Sequence, residues 1–110
     1  MSAQVTEQQL VQVCTVTDLA DGEIFKAEIA DLGKFAIYRV GDAFFASDDR
    51  CTHAEASLSD EGYLEGFTVV CSWHDGAFDI RTGEVKALPC GKALRTYPVV
   101  VREGAVYLTI

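Results

Sequence analysis

Two short stretches, Cys51-Thr52-His53 and Cys71-Ser72-Trp73-His74, set the condition that every other residue of this chain has to meet. Each carries one thiol and one imidazole, and the pattern takes up both of the chain's histidines. Structural zinc sites usually group like ligands, with paired cysteines on one turn and paired histidines on a helix. Here each turn offers one of each kind, which suits a centre with two unlike metal positions, both reached from both turns. Buried core residues or a zinc site remain alternative readings of the same four side chains, and the spacing favours iron and sulfur over either.

The pattern Cys-x-His, a long gap, then Cys-x-x-His resembles that of Rieske-type [2Fe-2S] centres, in which one iron takes two cysteines and the other two histidines. That resemblance makes Cys51, His53, Cys71 and His74 the ligands of one cluster and places the two histidines at its exposed tip. Replacing two thiolates by neutral imidazoles makes the centre less negative, so an added electron is held more easily. Rieske potentials accordingly run from roughly -150 to +300 mV, against about -400 mV for plant-type ferredoxins. Thiolates must be deprotonated to bind, so assembly is expected to depend on pH and to be coupled to folding.

Size and charge narrow the function further. With 110 residues, 1–110 reads as a single domain, with a cluster-binding lobe over about 46–90 on the remaining strands. Nine Lys and Arg face seventeen Asp and Glu, a formal charge of -8, which disfavours nucleic acid and anionic membranes and favours a partner with a basic docking face. The longest apolar runs, such as Val99-Val100-Val101, are strand-sized, and no leader-like segment opens the sequence, so the expectation is a cytoplasmic monomer without a membrane. The remaining cysteines, Cys14 and Cys90, read as small apolar residues and carry no assigned role.

The fold class expected is all-β, antiparallel sheets in a small sandwich or barrel-like base. Residues 10–16 are rich in β-branched types, and 17–22 supply turn residues. Strands over 24–29, 35–40 and 43–47 then form a meander, and strands at 67–70 and 76–80 enter and leave the second Cys/His turn. A strand over 84–87 follows. The chain closes on a hairpin, 94–102 against 105–110, turning at Glu103-Gly104, with Pro98 at an edge or bulge. Helix is confined to about a turn near 17–20 and another at 57–60, because no long stretch carries a 3.6-residue apolar stripe.

Over essentially its whole length the sequence is similar to the small Rieske ferredoxins of bacterial aromatic-ring-hydroxylating dioxygenase systems. Asp49-Arg50 before Cys51, the run from Ser57 to Gly66, and Phe78-Asp79-Ile80-Arg81-Thr82-Gly83 carry that likeness beyond the ligands. The resemblance implies an electron carrier, not an enzyme, that takes electrons from an NADH-dependent flavoprotein ferredoxin reductase and gives them to a terminal oxygenase. No histidine is left over for a mononuclear iron site, and no Gly-x-Gly-x-x-Gly turn for a dinucleotide. Respiratory and photosynthetic Rieske proteins tie their loops with an extra disulfide, where this chain has Ala56 and Trp73. They also place Ser and Tyr hydroxyls near cluster sulfur, where this chain has Gly76 and Phe78, so a potential near -150 mV is expected. By the same resemblance Leu88-Pro89-Cys90 is a third loop over the cluster, or merely a turn, and Trp73 is a docking residue or an apolar cover. Two other readings stay open: a small Rieske subunit of another oxidoreductase complex, such as an assimilatory nitrite reductase, and a zinc-stabilised interaction module.

Overall fold

The computed structural model describes residues 10–52, 56–72, 76–87 and 92–109. Eleven strands in three antiparallel sheets, a single 3-10 turn at Val16–Asp18 and one short α-helix make up the regular structure of these residues. The all-β expectation holds.

The middle sheet organises the other two. Strands β2 (Ile24–Ile29), β3 (Gly33–Val40) and β4 (Ala43–Asp48) form a meander, and β9 (Thr96–Tyr97) adds to the free edge of β4. Strand β3 reads Phe-Ala-Ile-Tyr over residues 35–38, a continuous apolar run. A strand covered on one face only would alternate, and a continuous run of this kind belongs to a strand covered on both. Phe35 and Ile37 enter one core cluster with Cys14, Ala46, Val106 and Leu108; Ala36 and Tyr38 enter another with Cys51, Leu58, Val69, Cys71, Phe78 and Ile80. The two sides of one strand thus seed two cores.

On the first side lies the sheet of β1 (Leu10–Thr15), β10 (Val99–Arg102) and β11 (Ala105–Thr109), ordered β1-β11-β10. The β10–β11 hairpin turns at Glu103 (φ 50°) and Gly104 (φ 79°), both left-handed, as the acidic-residue-then-glycine pair predicts. On the second side β5 (Gly62–Glu65), β6 (Thr68–Cys71), β7 (Ala77–Asp79) and β8 (Val85–Ala87) form a sheet in sequence order. The four-residue helix α1 (Leu58–Glu61) precedes it, with the Ser57 hydroxyl accepting from the Asp60 N–H at its start.

Two expectations need correction. The strand over 94–102 is two strands, β9 and β10, lying in different sheets. Pro98 marks the break: it has no N–H to give to a ladder, and its carbonyl instead accepts from the Thr109 N–H at 2.9 Å as the chain crosses from β4 to β11. The family-like run 57–66 also hides strand β5, whose pairing of Tyr63 with Val70 and Leu64 with Val69 is made with residues further along the chain. Cys14 is buried beside Leu19 and Val106, as a small apolar core residue would be. Burial, and then the charge of Asp18, push its thiol pKa up to about 11, so it stays protonated.

Candidate metal centre

Two loops start from cysteines of the second core. The first begins where β4 stops. Asp49 donates its N–H to the Lys34 carbonyl at 3.2 Å, and its own carbonyl accepts from the Leu58 N–H at 2.6 Å. Arg50 bridges Ser57 across the base, and the Cys51 N–H bonds to the Ala56 carbonyl at 2.9 Å. Cys51 and Ala56 are therefore held together at the base of this loop. The second loop joins β6 to β7, with Cys71 the last residue of its strand and its N–H bonded to the Gly76 carbonyl at 2.7 Å. Ser72 gives both its N–H (3.0 Å) and its hydroxyl to the Glu61 carbonyl, which pins this loop to the end of α1.

Cys51 and Cys71 are 2% and 0% exposed and belong to one buried cluster, together with Ala56 and Phe78. The structure thus brings together the two thiols that the sequence singles out, each on a loop closed by backbone bonds. Such a pair of thiols buried in one cluster is the donor arrangement that the cysteine-held iron of a mixed-ligand cluster needs. His53 and His74 lie outside the described residues, as do Trp73, Asp75 and Leu88-Pro89-Cys90.

Tyr38 fills the space between the central sheet and this site and is fully buried. Its hydroxyl donates to Ser47 Oγ at 2.7 Å, and Ser47 donates on to the Asp48 carbonyl at 2.8 Å. Burial raises the Tyr38 pKa well above the ordinary phenol value, the Ser47 bond opposes this, and Asp49, Asp48 and Cys51 raise it further. Tyr38 is therefore a neutral spacer behind the first loop, and no signal in the sequence marks it.

A third support comes from the turn after β7. The carboxylate of Asp79, 5% exposed, takes the Arg81 backbone N–H at 2.8 Å, its Nε at 3.1 Å and its Nη2 at 2.9 Å. The Arg81 side-chain bond holds the Asp79 carboxyl below the usual carboxylate range against the cost of burial. The guanidinium also lies over the Phe67 ring, 4.4 Å from its centroid, and Phe67 meets Phe45 edge-on. So fixed, the turn presents Gly83, whose N–H bonds to the Asp79 carbonyl at 2.7 Å and whose carbonyl accepts from the Leu94 N–H at 2.8 Å. Further along the segment that Leu94 anchors, the Lys92 carbonyl accepts from Thr52 Oγ1 at 2.7 Å. A continuous set of bonds thus runs from the β7–β8 turn to the residue between Cys51 and His53. The sequence reading missed this support, although Thr82-Gly83 and Thr52 were there to be seen.

The comparisons with known proteins agree with this geometry. Residues 9–98 match the Rieske [2Fe-2S] domain model. The ferredoxin component of the p-cumate 2,3-dioxygenase system of Pseudomonas putida is 48% identical over 101 residues, covering 92% of this chain and 86% of that protein. Among solved structures, the Sphingomonas yanoikuyae B1 ferredoxin aligns with a TM-score of 0.87 and 36% identity, over 93% of this chain and 99% of that one. A chain in the complex of reduced oxygenase and oxidized ferredoxin in carbazole 1,9a-dioxygenase aligns at 0.85 and 41%, over 91% and 92%. With two buried thiols on adjacent closed loops in an all-β frame, and with these relatives, the chain belongs to the Rieske [2Fe-2S] family, among the ferredoxin components of dioxygenase systems, which carry electrons on one Rieske-type cluster.

Proposed function

We propose that this protein receives single electrons from an NADH-dependent flavoprotein reductase and delivers them to a terminal aromatic-ring oxygenase, with Cys51, His53, Cys71 and His74 holding the cluster. The observation that carries this reading is the pairing of Cys51 and Cys71 in one core cluster, in a chain 48% identical to a dioxygenase ferredoxin. The cluster supplies one-electron chemistry at a site the protein need not reshape. The chain's own part is to hold two thiols dry and fixed, and to keep the loops closed while partners come and go. Residues 1–110 act in this reading as one domain and as a monomer, in the cytoplasm. The described residues contain no helix long and apolar enough to cross a membrane.

A carrier of charge -8 has to meet its partners in turn and leave each quickly, so docking is steered by charge. Mixed with NADH, a ferredoxin reductase and a carbazole- or cumate-type oxygenase, the holoprotein is expected to support ring oxidation at a rate that falls with salt. The Debye length shrinks from about 10 Å at 0.1 M to about 3 Å at 1 M, which removes long-range steering. Reduction of the ferredoxin with no electron reaching any such oxygenase would overturn the assignment.

Phe78 gives a separate test of how the site sets its potential. It is fully buried in the same cluster as Cys51 and Cys71 and pairs with Val69 on β6. A hydroxyl added there loses its water, so it is stable only with an acceptor, and cluster sulfur is the acceptor that gains negative charge on reduction. A bond to a charged acceptor is worth roughly 1.5 to 3 kcal/mol, of which about half differs between oxidation states. Phe78→Tyr is expected to raise the potential by roughly 30 to 65 mV, since about 59 mV corresponds to a tenfold change for one electron. Voltammetry checks it, and a fall in potential would contradict this account.

A further inference from the structure

We infer that Asp49 is a positioning residue of the first ligand loop, and that its buried carboxylate holds the cluster's potential down. This rests on the cluster reading above. Asp49 stands two residues before Cys51, yet only 3% of it is exposed. Its Oδ2 accepts from Ser57 Oγ at 2.5 Å and its Oδ1 from the Ser59 N–H at 2.8 Å. Both partners lie beyond the far end of the loop. With the Leu58 N–H on the Asp49 carbonyl at 2.6 Å, three bonds from one residue span residues 50–56 and fix where Cys51 leaves the strand.

The charge acts alongside the clamp. Asp49 is 3% exposed and Cys51, two residues further on, is 2% exposed, so the carboxylate and the first thiol border the same water-poor region. In such a region a negative charge is screened far less than at the surface. An electron added beside it is disfavoured. Asparagine keeps the shape but not the charge: its carbonyl can accept from the Ser59 N–H, and its NH2 meets Ser57 Oγ only with that bond reversed, so two charge-assisted bonds become weaker neutral ones.

The test uses the full-length holoprotein. Asp49→Asn is expected to raise the potential by an amount equivalent to about a tenfold gain in the equilibrium constant for reduction, about 59 mV, and to speed cluster bleaching several-fold. Asp42→Asn makes the same change of net charge at a fully exposed turn at the other end of the β3–β4 hairpin, and is expected to leave both readings unchanged. Asp49→Glu restores the charge but not the reach, so it should bleach quickly with a potential nearer to wild type. Equal potentials in Asp49→Asn and wild type, or an equal shift in Asp42→Asn, would overturn the inference. If Asp49→Asn does not assemble, Ser57→Ala is read instead: several-fold faster bleaching supports the clamp, and an unchanged rate overturns it. Wild-type protein lacking iron and sulfide would sink the cluster reading itself, whereas a normal wild-type cluster with an unmoved Asp49→Asn potential sinks only the role of Asp49.

Discussion

Gly83→Ala should cost about 2 to 4 kcal/mol, the sum of a left-handed backbone strain of about 1 kcal/mol and an overpacking term of about 1 to 3 kcal/mol. Gly83 has φ +82°, and a Cβ built on it would lie 1.9 Å from the Leu94 carbonyl oxygen and 3.0 Å from its carbon. Those are backbone atoms, which cannot rotate away as a side-chain tip could. The Gly83–Leu94 bond must therefore lengthen or break, and with it the anchoring of the segment that carries Lys92 towards Thr52. At about 4 °C or more per kcal/mol for a chain of this size, the midpoint of thermal unfolding should fall by about 8 °C or more. Gly66→Ala separates the two causes, because Gly66 has φ +60° but nothing within 4 Å of a built Cβ. It should lose only the strain, about 1 kcal/mol. Equal losses in the two variants would show that the contact with Leu94 contributes nothing.

The second large effect falls on the ligands. Cys71→Ser and Cys51→Ser replace a thiolate with a hydroxyl that stays protonated at neutral pH, and a neutral hydroxyl is a poor ligand for iron. Each variant should retain less than about a tenth of the wild-type iron and sulfide, and because metal binding is folding energy, each should unfold as the apo-protein does. Burial alone predicts something different. Cys14 is also buried, at 6% exposed, but it sits in the other core with a pKa of about 11 and is a thiol rather than a thiolate. Cys14→Ser should therefore lose stability and keep its cluster. Iron and acid-labile sulfide content of the three purified variants checks this, and full cluster content in Cys71→Ser would remove Cys71 from the site.

The parts of this fold that the sequence discloses are those whose physics is local. A Cys-x-His and a Cys-x-x-His are legible because a mixed-ligand cluster demands those atom types whatever surrounds them, and Glu103-Gly104 because only a few residue pairs accept two left-handed conformations. Strands β2, β3 and β4 are legible because short turns divide three β-rich runs. What stays hidden depends on distant partners. Residues 62–65, Gly-Tyr-Leu-Glu, become β5 through the edge that β6 offers them. The run 94–102 divides because two sheets compete for it and Pro98 can serve neither ladder as a donor. In the site, the thiols can be named from the sequence alone. The clamp of Asp49 on Ser57 and Ser59, and the path from Gly83 through Leu94 and Lys92 to Thr52, join residues that no periodicity connects.

The proposed centre puts both of the chain's histidines on the iron that accepts the electron. Because there are only two, His53 and His74, uniform 15N labelling of histidine marks no other site. Pulsed EPR of the reduced, labelled protein measures it directly. Strong couplings from two imidazole nitrogens are expected in the wild type, with one lost on converting either histidine to cysteine. A reduced spectrum with no strong histidine coupling, or freshly isolated protein carrying zinc and no acid-labile sulfide, would contradict it.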